Sequence, residues 1–208
     1  MTKIKICGIT TPDDARLCAE LGADAIGINL VPGTPRYVTL DAARAIVRAL
    51  GESAPHVLTV GVLANMPLSD MLALRSEFGC LQLHGNEPPY QLIPLLPHAY
   101  KAVRIGNEED VAAASEYPGE YLLVDAKVPG VLGGSGRVFD WSLVQKLARA
   151  RKLTLAGGLG PANVRDAIRA VRPYAIDVAS GVELEGNPRK KDSARIRDFV
   201  REARAADE

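Results

Sequence analysis

The stretch Leu122–Trp141, LLVDAKVPGVLGGSGRVFDW, decides how the rest of the chain is read. It continues an apolar run, Tyr121 to Val124, that ends on an acid, Asp125, and then opens into a glycine-rich loop before Asp140 starts a new helix. An ionisable residue at the carboxyl end of a buried strand, beside a glycine loop, is where α/β proteins usually keep their chemistry. On its own the segment also fits a strand end capped by Asp125, with Gly133, Gly134 and Gly136 as turn residues. Its neighbours separate the two readings, because the same arrangement recurs along the chain.

Working outward, apolar runs rich in Val, Ile and Leu fall at Lys3 to Cys7, Ala25 to Leu30, Val57 to Leu63, Cys80 to Leu83, Tyr100 to Arg104, Tyr121 to Val124, Leu153 to Leu155 and Tyr174 to Ala179. Amphipathic segments lie between them, with start signals at Thr11-Pro12-Asp13, Thr39, Pro67, Asp140, Pro161 and Asp192. Two more helices, around Pro88 to Leu96 and Glu108 to Ala114, look short. Strands buried on both faces and alternating with helices imply parallel pairing through right-handed crossovers. Eight such units in 208 residues predict an α/β protein of one domain, residues 1–208, folded as a small (β/α)8 TIM barrel. A doubly wound open sheet is the alternative, and it would be expected to carry a GxGxxG turn after the first strand, which this chain lacks.

Composition narrows the function classes. Nearly half the residues are apolar, and no run of eighteen apolar residues occurs, so no membrane segment is expected. Lys plus Arg equals Asp plus Glu at 25 each, which provides no global field for nucleic acid or a membrane surface. The amino terminus lacks the apolar centre of a secretion signal, and three cysteines without a CxxC pair fit a reducing compartment. A cytoplasmic location is expected. The expected partner is a small phosphorylated molecule, bound by a monomer or homodimer.

In a (β/α)8 barrel the reactive groups stand just after the strands. Those positions hold Cys7, Arg36, Asn65, His84, Arg104, Asp125, Gly157-Gly158 and Ser180-Gly181. AGGLGPANV and ASGVE, after strands seven and eight, place glycines where backbone N–H groups can approach an anion, which points to a phosphate site at Gly157, Gly158, Ser180 and Gly181. Gly134 and Gly136 could add a third edge. Cys7 ends strand one and is followed by Gly8, so it faces the mouth. A thiol there can be a nucleophile, a metal ligand or a general base. No co-ligand has metal-motif spacing and neither His56 nor His84 is placed beside strand one, which leaves the base. Strands one and six lie nearly opposite, so Cys7 and Asp125 would flank a ligand as base and acid. Across from the phosphate loops, Arg36 suits a carboxylate, and His84 and Asp177 complete the substrate-binding candidates.

Taken together, KICGIT, GINLVPGTPRYV, VGVLAN, LQLHGNE, LLVDAKVPGVLGGSGRVFDW, LAGGLGPANV and IDVASGVE resemble the phosphoribosylanthranilate isomerase family over nearly the whole chain. The resemblance implies a cofactor-free, metal-free Amadori rearrangement of N-(5-phosphoribosyl)anthranilate in tryptophan biosynthesis. The family's base, acid and carboxylate-binding arginine match Cys7, Asp125 and Arg36. Three departures stand out: no aromatic residue in Ile28-Asn29-Leu30, Ala179 in place of the usual serine, and Asn187-Pro188-Arg189-Lys190-Lys191-Asp192 in place of a shorter turn before helix eight. A different sugar-phosphate isomerase or epimerase, or a non-catalytic barrel binding a phosphorylated metabolite, are the alternatives. The acid and base pose a protonation problem. At ordinary pKa values a thiolate with a protonated aspartic acid is populated at roughly 10⁻⁴ to 10⁻⁵ near neutral pH, a deficit of about 6 kcal/mol. The expectation is that burial raises Asp125 and local dipoles lower Cys7, the two titrating as a pair.

Overall fold

In the computed structural model, which describes residues 1–126 and 140–207, the eight apolar runs are parallel strands closed into one ring in chain order. They are β1 (Lys3–Cys7), β2 (Ala25–Asn29), β3 (Leu58–Leu63), β4 (Cys80–Leu83), β5 (Ala99–Ile105), β6 (Tyr121–Ala126), β7 (Lys152–Ala156) and β8 (Ala175–Val178). The ring closes where Ile4 and Ile6 of β1 pair in register with Ile176 and Val178 of β8. The open-sheet alternative is excluded by that pairing.

Helices α1 (Pro12–Glu20), α2 (Leu40–Ser53), α3 (Leu68–Leu74), α4 (Pro89–Leu92), α5 (Glu108–Ser115), α6 (Ser142–Ala150), α7 (Val164–Val171) and α8 (Ser193–Arg204) follow the strands. Their starts follow local chemistry. Thr11 caps α1 by accepting from the Asp14 N–H, with Pro12 at the first helical position, and Asp192 caps α8 by accepting from Ala194 and Arg195. The start expected at Pro161 slips to Val164, because Asn163 and Gly160 bond to each other across a tight turn that uses those residues first. None of the described helices is long and apolar enough to cross a membrane.

Side-chain alternation sorts the strands into two layers. Ile4, Ile6, Ile26, Ile28, Leu122, Val124, Leu153 and Leu155 point outward and are fully buried under the helices. Phe199 of α8 packs into the same layer at 0% exposure, so Phe199→Ala would cost about 3–5 kcal/mol. The inward layer is a mixture. Val60, Tyr100, Ala102, Leu123 and Ala156 form an apolar plug, and beside it Lys5, Gln82, Thr154 and Asp177 are buried polar groups. Lys5 Nζ donates to Asp177 Oδ1 at 2.9 Å with both side chains less than a tenth exposed. A buried charge of that kind persists only when paired.

A further hairpin follows β8: β9 (Glu183–Leu184) pairs antiparallel with β10 (Asn187–Lys191). It is the atypical segment before α8, and it reaches the loop after β2. Arg189 Nη1 donates to the carbonyls of Pro35 and Tyr37 at 3.0 and 2.8 Å.

Candidate active site

Alternation carries the polar layer to the mouth. Two residues beyond Lys5 stands Cys7, two beyond Gln82 stands His84, two beyond Leu123 stands Asp125, and two beyond Ala175 stands Asp177. These side chains, with Arg36, Gly157, Gly158 and Ser180, line one cavity of about 280 Å³ where the strands end. Eight of the residues singled out from the sequence thus share one space. Gly134 and Gly136 lie outside the described residues. Asn65 and Arg104 line a neighbouring cavity between β3, β4 and β5 instead, where the Asn65 N–H is held by Glu87.

The phosphate-type loops meet. Gly157 and Gly158 have φ of 94° and 64°, a left-handed backbone that glycine adopts without strain. A methyl on Gly181 would collide with the Leu159 carbonyl and crowd Gly160, so only glycine lets the loops after β7 and β8 touch. The backbone N–H groups of Gly157, Gly158, Ser180 and Gly181 find no acceptor among the described residues. Four donors from two adjoining loops, without an acceptor among the described residues, form a cradle suited to an anion. Asn163 braces it: its amide donates to the Gly158 carbonyl and its side-chain oxygen accepts from Gly160.

Arg36, from the loop after β2, lies across Gly8, where a Cβ would overlap its side chain. Its Nε and Nη2 donate to the two carboxylate oxygens of Glu183, the latter at 2.8 Å. Lys191, 1% exposed, donates to the same carboxylate at 3.1 Å and to the Ala179 carbonyl. Burial opposes the charge on Glu183, but Arg36 and Lys191 outweigh it and hold the carboxyl below its usual range. Arg36 is therefore positioned by a fork–fork pair, with Nη1 finding no acceptor among the described residues. Within the atypical segment at 187–192, Lys191 supports this arginine through their shared carboxylate, Glu183.

Cys7 is partly exposed to the cavity. Burial pushes its thiol up, and the nearby Lys5 ammonium opposes this without overcoming it. The expectation of a lowered Cys7 is corrected: in the free protein desolvation wins, since the pocket walls remove water while Asp177 takes up much of the Lys5 charge. Burial likewise opposes the Lys5 charge, yet Asp177, and Cys7 after it, keep the ammonium protonated. Asp177, singled out for substrate, has one oxygen committed to Lys5 beneath the cavity floor.

Across the cavity His84 Nε2 lies 3.5 Å from Asp125 Oδ2, close for a charge pair and long for a hydrogen bond. His84 Nδ1 is 3.1 Å from Gln82 Nε2, and Tyr100 donates its O–H to Gln82 Oε1 at 3.0 Å. Lys5, Gln82, Tyr100, Glu183, Lys191 and Asn163 were not singled out from the sequence. Only Lys5 left a signal there, in the alternation of KIKIC.

A family profile described as N-(5'-phosphoribosyl)anthranilate (PRA) isomerase matches residues 4–202. A relative of that name from Desulforudis audaxviator is 45% identical over 210 residues, covering 99% of this chain and 100% of its own. The crystal structure of the phosphoribosyl anthranilate isomerase from Thermotoga maritima superposes with a TM-score of 0.86 at 41% identity, covering 99% of this chain and all of that one. A second isomerase structure, in complex with reduced 1-(o-carboxyphenylamino)-1-deoxyribulose 5-phosphate, superposes at 0.84 with 38% identity and covers 99% of this chain and 100% of that one.

Proposed function

The chain belongs to the PRA isomerase family, and on that premise we propose that Cys7 is the general base and Asp125 the general acid of its Amadori rearrangement. It is an isomerase of tryptophan biosynthesis, converting N-(5'-phosphoribosyl)anthranilate to 1-(o-carboxyphenylamino)-1-deoxyribulose 5-phosphate. What carries the assignment is placement: both groups line one cavity with the glycine loops after β7 and β8 and a braced arginine.

Asp125 gives its proton to the ribose ring oxygen, the C1′–O bond opens, and the anthranilate nitrogen supplies the electron pair that makes the iminium. Cys7 as thiolate removes the C2′ proton, the electrons move toward the iminium nitrogen, and the enolamine tautomerises to the ketone. The iminium acidifies C2′–H, so the step calls for no metal or other cofactor. The amides of Gly157, Gly158, Ser180 and Gly181 hold the phosphate, and the unengaged edge of Arg36 holds the anthranilate carboxylate. His84 and Asp177 contact the sugar. The small phosphorylated substrate is met by a monomer or homodimer in the cytoplasm, with no nucleic-acid or membrane partner.

Supplying the purified protein with N-(5'-phosphoribosyl)anthranilate tests the reading. Cys7→Ser and Asp125→Asn should each cut kcat at least about 100-fold, near 2.7 kcal/mol, while still binding the reduced product analogue. Retention of more than about a tenth of kcat by either variant removes that residue from its role.

A further inference from the structure

Beneath the mouth, two side chains unused in that chemistry, Tyr100 and Gln82, form a directed chain to His84. Tyr100 and Gln82 are 9% and 1% exposed, and they stand on neighbouring strands β5 and β4 with Tyr100 paired to Gln82 in register. The Tyr100 hydroxyl has one acceptor among the described residues, Gln82 Oε1 at 3.0 Å. Burial keeps that phenol protonated far above its ordinary range, so it remains a donor. With Oε1 committed to Tyr100, the Gln82 Nε2 group must be the end that faces His84 Nδ1 at 3.1 Å. An NH₂ can only donate, so Nδ1 must accept. Turning the Gln82 amide over would point its NH₂ at the phenol and leave a buried O–H without an acceptor, the costlier arrangement. An Nδ1 that accepts cannot carry a proton, which places the imidazole proton on Nε2. That atom is buried and unpartnered among the described residues, 3.5 Å from Asp125 Oδ2.

We propose that Gln82 and Tyr100 are positioning residues that hold His84 as the neutral Nε2–H tautomer, with its N–H turned on Asp125 and the substrate's ring oxygen. This rests on the acid role given to Asp125. An imidazolium at this distance would hold the carboxyl ionised and remove the proton that the reaction needs. A neutral N–H carries no net charge, so its pull toward the ionised carboxyl is far weaker. As Asp125 passes its proton to the ring oxygen and the C1′–O electron pair follows, charge grows on the carboxylate and the fixed N–H meets it there. No proton enters or leaves His84. The charged and titratable groups that share its two cavities are Cys7, Arg36, Asp125 and Asp177 on one side and Lys101, Arg104, Asp110 and Tyr117 on the other. Among the described residues, Asp125 is the one carboxylate within ion-pairing distance.

The test is imidazole ¹⁵N NMR of the whole protein, whose three histidines allow His84 to be assigned from a His84→Gln variant. The wild type should show a neutral Nε2–H ring at neutral pH. Gln82→Glu supplies an acceptor for an Nδ1–H, so His84 should become imidazolium at neutral pH and kcat should fall roughly 100-fold with KM nearly constant. Tyr100→Phe frees the amide to turn over, giving mixed tautomers and a kcat about three- to tenfold lower. An Nδ1–H ring or an imidazolium in the wild type at neutral pH overturns the proposal, as does a neutral His84 in folded Gln82→Glu. Should Gln82→Glu not fold, Tyr100→Phe decides, an unchanged tautomer with unchanged kcat counting against the chain. The tautomer is read without turnover, so an active Asp125→Asn enzyme, which sinks the acid role, leaves this measurement independent.

Discussion

Cys7 and Asp125 line the same cavity, yet the barrel supports them by opposite means. Under Cys7 lies a full ion pair, Lys5 with Asp177, both buried. Beside Asp125 stands a neutral chain that runs from Tyr100 through Gln82 to His84. The ammonium favours the thiolate that has to form before a proton can be taken; the uncharged imidazole sets no cation beside the carboxyl. Charge is placed where a group must ionise and withheld where it must not.

Removing the charge is the largest way to break this contrast. Lys5→Met should cut kcat by roughly 10²–10³ and, by leaving Asp177 unpaired in the barrel, cost about 3–5 kcal/mol of stability. Adding Asp177→Leu should restore most of the stability without the activity, as thermal melts beside turnover assays would show. If activity returned with stability, the ammonium would serve the fold alone.

A smaller effect is expected at Arg36, which lines the same cavity. Arg36→Met should raise KM about 10–100-fold with kcat little changed, since a hydrogen bond to a charged group contributes about 1.5–3 kcal/mol. Glu183→Gln should raise KM by less, because it loosens the fork without removing it. Equal effects on KM and kcat in steady-state kinetics would mean that Arg36 acts on the reacting centre.

The thiol itself gives a third, weaker handle. Because burial raises Cys7 in the folded chain, alkylation by iodoacetamide should reach its midpoint above the ordinary thiol value of about 8.5. Between the unfolded and folded pKa the native state binds more protons, so stability should fall as pH rises through that window. Cys7→Ser should flatten the fall, and a wild-type midpoint at or below the ordinary value would show that Lys5 outweighs desolvation. Exhaustive chelation should change nothing, and a loss of turnover that zinc restores would reassign Cys7 as a ligand.

The fold was legible in the chain because its strands are short apolar runs set off by caps, and Thr11, Thr39 and Asp192 mark helix starts to the residue. Runs judged apolar on both faces hid the inner polar layer. Lys5, Gln82 and Tyr100 face inward by alternation, and their partners come from strands that the chain alone does not bring side by side. The nearness of His84 to Asp125 had no signal either, since β4 and β6 flank β5 without touching. The hairpin at 183–191 escaped because Asn187-Pro188 suits a loop as well as an edge strand. Local pattern located the groups at the mouth; what holds them in place is long-range.

Acid and base can be told apart by deuterating the substrate at C2′ and measuring the isotope effect on kcat in each variant. Cys7→Ser slows proton removal, so it should show a full primary isotope effect. Asp125→Asn slows ring opening, which precedes that step, so its isotope effect should vanish. A full effect in Asp125→Asn with none in Cys7→Ser would contradict the assignment of base to β1 and acid to β6.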